Sequence, residues 1–173
     1  MSLEVIQQTV RDIPDFPQPG ILFKDITPVL ADPEVFNKAI ELMAEKLREE
    51  KIDKIVGLDA RGFIFGTALS LKLGIGFIPV RKPGKLPAAT ISESYDLEYG
   101  SNTLEIHEDA LKENERVAIV DDLLATGGTA EASSKLIERL GAQVISYNFF
   151  MELSFLKGSE KLQNGKLNSL IVV

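Results

Sequence analysis

The run Val117-Ala118-Ile119-Val120-Asp121-Asp122-Leu123-Leu124-Ala125-Thr126-Gly127-Gly128-Thr129 decides how this chain folds. Its first four residues are continuously apolar and mostly β-branched, the pattern of a strand buried on both faces of a parallel sheet. Two acids and a glycine-threonine loop follow, then Leu136, Ile137 and Leu140 mark a helix that stops at Gly141. The unit is strand, polar loop, helix. Upstream the same order recurs: Ile52 to Leu58 reads as a buried strand, Asp59-Ala60-Arg61-Gly62 as a tight loop, and a helix then runs to Leu73 with Gly74 as its stop. Gly76 to Val80 is a further strand, as is Val144 to Leu153, and Leu170 to Val173 is a candidate edge strand. Before them, Asp32-Pro33 pairs an N-cap with a proline at the first helical position, and Phe36, Ile40, Met43 and Leu47 repeat at spacings of three and four. Such alternation predicts an α/β fold, an open and mainly parallel sheet with helices on both faces.

The 173 residues suit a single domain, 1–173, and 45% apolar with 26% charged residues is the balance of a chain that buries a core. Without cysteine there is no disulfide framework, thiolate zinc site or cysteine nucleophile. Nineteen basic against 26 acidic residues give a net charge of -7, the wrong sign for a general nucleic-acid binder. No apolar stretch approaches the roughly 20 residues of a membrane span, and MSLEVIQQTV lacks the basic and apolar regions of a secretion signal. A cytoplasmic protein without a membrane segment is expected.

Two parts stand outside the alternation. Phe16 to Asp25 is expected to be irregular, because the prolines from Pro14 to Pro19 exclude a helix interior, and its apolar residues suggest a hood over the sheet, taken as 11–31. Arg81-Lys82-Pro83-Gly84-Lys85-Leu86-Pro87 reads as a mobile basic loop. After it, Ala89 to Tyr95 and Asn102 to Ile106 look like two strands of an excursion around Glu98-Tyr99-Gly100, so 81–107 holds the basic and flexible loops. The single histidine, His107, is expected to be exposed and without a role.

Ala125 to Thr129 sits where loop N–H groups and a helix N-terminus converge, an arrangement suited to a phosphate. Gly127 and Gly128 let the backbone approach closely, and the hydroxyls of Thr126 and Thr129 are donors. An ordinary glycine turn with threonine capping would look the same. Asp121 and Asp122 at the end of a buried strand repel each other unless a ligand or cation satisfies them, and a sugar diol beside the phosphate would do so. Alternatively one acid caps the turn and the other is solvated. Other phosphate motifs fail: Gly84-Lys85 is followed by Leu86, and Gly74-x-Gly76 precedes a strand and lacks a third glycine.

The quoted run resembles the phosphoribosyl-pyrophosphate signature of the type I phosphoribosyltransferases. Four further segments resemble the adenine-using branch of that family, in the expected order: FPQPGILFKDITPVL its hood, GLDARGFIFG its pyrophosphate loop, VRKPGKLP its basic loop and SYDLEYG its flexible loop. One departure lies in LKGSEKL, where Ser159 occupies a position at which the family leads one to expect Arg.

The resemblance implies transfer of the 5-phosphoribosyl group from 5-phosphoribosyl 1-pyrophosphate to adenine, giving AMP and pyrophosphate in purine salvage. It implies Mg2+ carried by the substrate with no direct protein ligand, and a homodimer. By similarity, Ala125, Thr126, Gly127, Gly128 and Thr129 hold the 5'-phosphate. Asp121 and Asp122 face the ribose, while Ala60, Arg61, Arg81, Lys82 and Lys85 hold pyrophosphate. Ile21, Leu22, Phe23 and Arg61 bind the base. Glu98 is the candidate proton-transfer residue, in the loop with Tyr99 and the hinge candidate Gly100. Solvated loop charges are the plainer reading of Arg81, Lys82 and Lys85 taken singly, and a solvated loop glutamate is the alternative for Glu98. Two competing functions are a transferase for an oxopurine and a nucleotide-sensing regulator that binds nucleic acid.

Overall fold

The computed structural model describes residues 2–97 and 99–173. The chain divides into two compact units, one ending at Leu42 and the other running Met43–Val173. In the first, α1 (Leu3–Thr9) leads into an antiparallel pair, β1 (Arg11–Pro14) and β2 (Leu22–Asp25), with Arg11 opposite Asp25 and Pro14 opposite Leu22. The irregularity expected from Phe16 to Asp25 therefore ends at Ile21. Prolines 17 and 19 lie in the connection, where no ladder N–H is needed, and Pro14 closes its strand. Phe16 packs edge-on against Phe23 with ring centroids 5.1 Å apart, and Lys24 Nζ reaches Asp12 Oδ1 at 2.7 Å. The short α2 (Thr27–Ala31) follows, its first N–H donated by Thr27 to Asp25 Oδ1.

At the start of α3 (Pro33–Arg48), Glu34 and Val35 donate their N–H groups to Asp32 Oδ1 at 2.9 and 3.1 Å, so the capping read from Asp32-Pro33 is realised. Beyond it lie β3 (Lys54–Leu58), α4 (Gly62–Leu73), β4 (Gly76–Val80), β5 (Thr90–Asp96), β6 (Ser101–His107), β7 (Arg116–Leu124), α5 (Gly128–Arg139), β8 (Gln143–Glu152) and β9 (Lys166–Val172). Five strands form one sheet in the order β4-β3-β7-β8-β9, every pair parallel. β5 and β6 make their own antiparallel pair, the excursion that the sequence suggests.

Helices cover both faces of the sheet, as expected. Phe65 of α4 stacks on Phe150 of β8 at 5.1 Å, whereas the neighbouring Phe149 belongs with Val117, Ile119, Leu136 and Ile137 in the cluster beneath α5. Adjacent strand residues point to opposite faces, so the two helices lie on opposite sides. Among the described residues, no helix is long and apolar enough to cross a membrane.

Three expectations change in detail. The edge strand begins at Lys166, not Leu170, because its register with β8 starts at Ser146 opposite Lys166. Arg81 is no free loop residue, since its N–H and C=O exchange hydrogen bonds with Glu105 at 3.0 and 2.7 Å. His107 is half-buried, and its Nε2 accepts the Ala88 N–H at 3.4 Å.

Candidate active site

The site begins where the strands stop matching in length. β3 pairs with β7 only as far as Gly57 opposite Val120, while β8 continues alongside β7 to Leu124 opposite Glu152. From Asp121 onward one side of β7 has lost its strand neighbour, and the carboxyl ends of such sheets are where ligands bind. The acids thus lie within the strand, which runs on through Leu124. The N-terminus of α4 comes into that gap. A Cβ on Gly62 would lie 2.7 Å from Asp121 Oδ1 and 2.9 Å from the Val120 carbonyl, so only glycine admits this approach.

Arg61, just before Gly62, brings its Nε to 2.7 Å from Asp122 Oδ2; the arginine side chain is 45% exposed and the aspartate 8%. The nearly buried carboxylate is therefore paired, while much of the guanidinium still faces solvent and is available to an anion. Asp122 donates its own N–H to Asp121 Oδ1 at 2.9 Å. Burial, reinforced by the adjacent charge of Asp122, pushes the Asp121 carboxyl well above its ordinary value of 3.8, against the opposing pull of that N–H bond and of Arg61.

Ala125, Thr126, Gly127, Gly128 and Thr129 line one cavity with Asp121, Leu123, Leu124, Ala130 and Phe149. Gly127 has φ +81°, and a Cβ there would run into the Gly158 carbonyl. Gly158, at the start of a 3-10 turn Gly158–Lys161, leaves equally little room against the Ala125 carbonyl. The turn that carries Ser159 thus forms a wall behind the loop. On the other side, Tyr95 of β5 lays its ring against Gly128 and shares a hydrogen bond with Thr129, Oη to Oγ1 at 2.9 Å.

Of the expected pyrophosphate residues, Ala60 and Arg61 occupy the β3–α4 connection, whose Asp59–Ala60 peptide is cis. Arg81 joins them there, with Nε 3.0 Å from Asp59 Oδ2 and its guanidinium 5.6 Å from the centre of the Phe63 ring. Lys82 and Lys85 stay exposed on the stretch beyond. Tyr99 is 87% exposed, and Gly100 has φ +82° with its carbonyl accepting the Leu97 N–H. Glu98 lies outside the described residues. Ile21 and Leu22 are exposed and Phe23 half-buried, the last two within β2.

Asp59, Phe63, Tyr95 and Gly158 were not among the residues expected at the site. Three of the four sit inside the quoted GLDARGFIFG and SYDLEYG segments and one in LKGSEKL, but only spatial proximity gives them a function. Among the described residues, no group of three or more His, Asp or Glu is arranged to hold a metal ion.

A parallel sheet carrying an acid pair and a glycine-threonine loop at a helix start along its carboxyl edge is the architecture of nucleotide-handling enzymes. The chain belongs to the phosphoribosyltransferase family, whose phosphoribosyl transferase domain matches residues 25–161. Its similarities within that family are to adenine phosphoribosyltransferases. One from Thermoanaerobacter sp. (strain X514) is 57% identical over 171 residues, 99% of each chain. A crystal structure of the enzyme from Thermoanaerobacter pseudethanolicus superposes with a TM-score of 0.96 at 56% identity, covering 99% of this chain and 100% of that one. The Saccharomyces cerevisiae enzyme, solved in complex with adenine and an imino-altritol bisphosphate, gives 0.91 at 46% identity and 97% coverage of both chains.

Proposed function

We propose that this chain is an adenine phosphoribosyltransferase, joining adenine to 5-phosphoribosyl 1-pyrophosphate with release of pyrophosphate to give AMP, a purine-salvage reaction. The observation that carries the reading is the single cavity shared by Asp121 and Ala125–Thr129, beside the Arg61–Asp122 pair. Full-length likeness to adenine phosphoribosyltransferases supports it.

Breaking the bond from C1' to pyrophosphate leaves negative charge on the leaving group and positive charge on the ribose ring. A site that holds charges of both signs in fixed positions stabilises that separation. The N–H groups of Ala125–Thr129, at the start of α5, hold the 5'-phosphate, with the Thr126 and Thr129 hydroxyls adding donors. Asp121 and Asp122 take the ribose hydroxyls. Arg61, aligned by Asp122, and Arg81, aligned by Asp59, offer guanidinium forks to pyrophosphate, with Lys82 and Lys85 adding charge from the basic loop and Ala60 a backbone contact. Magnesium carried by the phosphoribosyl pyrophosphate would supply further positive charge toward the leaving group, beside that of Arg61 and Arg81.

Adenine loses a ring proton as it attacks, and Glu98 is the proposed acceptor. The loop bearing Glu98 and Tyr99, turning at Gly100, keeps water from the ribosyl cation. Ile21, Leu22 and Phe23 of the hood, 11–31, cover the base, with Arg61 contributing. The working protein is a cytoplasmic homodimer, each chain a single domain of 1–173 with its loops at 81–107, and it takes no nucleic acid.

The test is pyrophosphate release from the purified protein with magnesium and phosphoribosyl pyrophosphate, offering adenine, hypoxanthine, guanine and xanthine one at a time. Turnover with adenine alone is expected. Turnover with an oxopurine would overturn the reading of Ile21 to Phe23, and release without any base would overturn the assignment as a transferase.

A further inference from the structure

We propose that Tyr95, with Asn102, is a positioning pair that transmits occupancy of the 5'-phosphate site to the β5–β6 hairpin, an inference that rests on Ala125–Thr129 being that site. Three hydrogen-bonding groups are in line. Asn102 Nδ2 lies 3.4 Å from Tyr95 Oη, and Tyr95 Oη lies 2.9 Å from Thr129 Oγ1. Tyr95 and Asn102 are also cross-strand partners, one pair before the last rung, Asp96 with Ser101, beyond which the tip turns.

A hydroxyl has a single hydrogen to donate and two lone pairs to accept with. Without an acceptor in the loop, the bond between Tyr95 and Thr129 can run in either direction. A phosphate oxygen takes the Thr129 hydrogen, so Thr129 must then accept from Tyr95, and Tyr95 in turn accepts from Asn102. The chain becomes unidirectional, and each bond polarises the next. The same anion that binds at the helix start therefore tightens the last rungs of the hairpin.

The rest of the hairpin is already fastened to the same helix. Arg139, in the last turn of α5, donates to the Ser92 carbonyl at 2.6 Å and to Glu93 Oε2 at 3.2 Å. At the first turn the Tyr95 ring lies so close to Gly128 that a Cβ there would come within 2.8 Å of it. β5 is thus held along α5 at both ends, and only the end beside the phosphate loop contains a bond whose direction a ligand sets. Tyr95 stands two residues from Leu97, whose N–H closes the tip turn on the Gly100 carbonyl.

Tyr95→Phe removes the hydroxyl and keeps the ring against Gly128. Its melting temperature should stay at the wild-type value, while KM for phosphoribosyl pyrophosphate rises about 2- to 10-fold, the span of one ordinary hydrogen bond, with KM for adenine unchanged. The decisive readout is hydrogen exchange of the Tyr95, Asp96 and Leu97 amides with saturating ribose 5-phosphate, ribose serving as the control. Ribose 5-phosphate should slow that exchange in the wild type and leave it at the unliganded rate in Tyr95→Phe. Asn102→Ala, which leaves the phosphate loop untouched, should lose part of the same protection. Full protection in either variant overturns the relay while leaving the phosphate site standing. Failure of the wild type to bind ribose 5-phosphate overturns the phosphate site and the relay together.

Discussion

Two adjacent aspartates meet different surroundings although they are one residue apart. Asp122 is paired with Arg61 at 2.7 Å, whereas Asp121 sits against the start of α4 with its neighbour's charge beside it. For Asp122 the expected consequence is functional: Asp122→Asn should lower kcat/KM about 100-fold, in the range for removing one charge-stabilising group, while urea denaturation changes far less. Equal loss of activity and stability would undo its role at the ribose. For Asp121 the consequence is a pH dependence. Its carboxyl titrates well above 3.8 in the folded protein and near 3.8 when unfolded. Between those values the folded state holds the proton that the unfolded state has lost, so the contribution to stability is full below about 3.8 and disappears as pH rises through the folded value. Asp121→Asn cannot ionise and escapes that loss. Its melting temperature relative to the wild type should therefore be more favourable at pH 7 than at pH 4; a constant difference would show that Asp121 does not titrate as described.

At the scale of elements, the Ala125–Thr129 loop depends on the segments around it. Gly127 combines φ +81° with a Gly158 carbonyl where its Cβ would go, while Gly84 has φ +76° and open space around it. Gly84→Ala should cost only the left-handed backbone penalty, about 1 kcal/mol. Gly127→Ala adds a backbone collision and should cost about 2–3 kcal/mol or more, read from chemical denaturation, with a higher KM for phosphoribosyl pyrophosphate. Similar losses for the two variants would mean that the Gly158 turn yields and is no fixed wall. These elements were unequally legible. The N-cap at Asp32, the helix stop at Gly74 and the strand Gly76–Val80 follow from local chemistry and appear as expected. β2 was hidden by the prolines before it, because a hairpin arm of four residues is defined by its partner, β1, and not by its own pattern.

Over the whole molecule, a net charge of -7 predicts passage through a heparin column at about 0.1 M salt without retention. Salt-dependent retention would restore the nucleic-acid reading. What the sequence by itself determined is the part written in local patterns: buried strands as apolar runs, helix ends as caps and glycines, and a glycine-threonine loop at a helix start. The family resemblance added the expectations that Arg61 meets pyrophosphate and that Glu98 moves the proton. Tertiary structure alone decided where β3 stops beside β7, which opens the gap at Asp121, and which residues support the site from distant parts of the chain. Asp59 on Arg81, Gly158 behind Gly127 and Tyr95 on Thr129 join residues 22 to 34 positions apart. Local pattern carries no information about such pairs, because each contact exists only once β3, β7 and the β5–β6 hairpin have been brought together around α4 and α5.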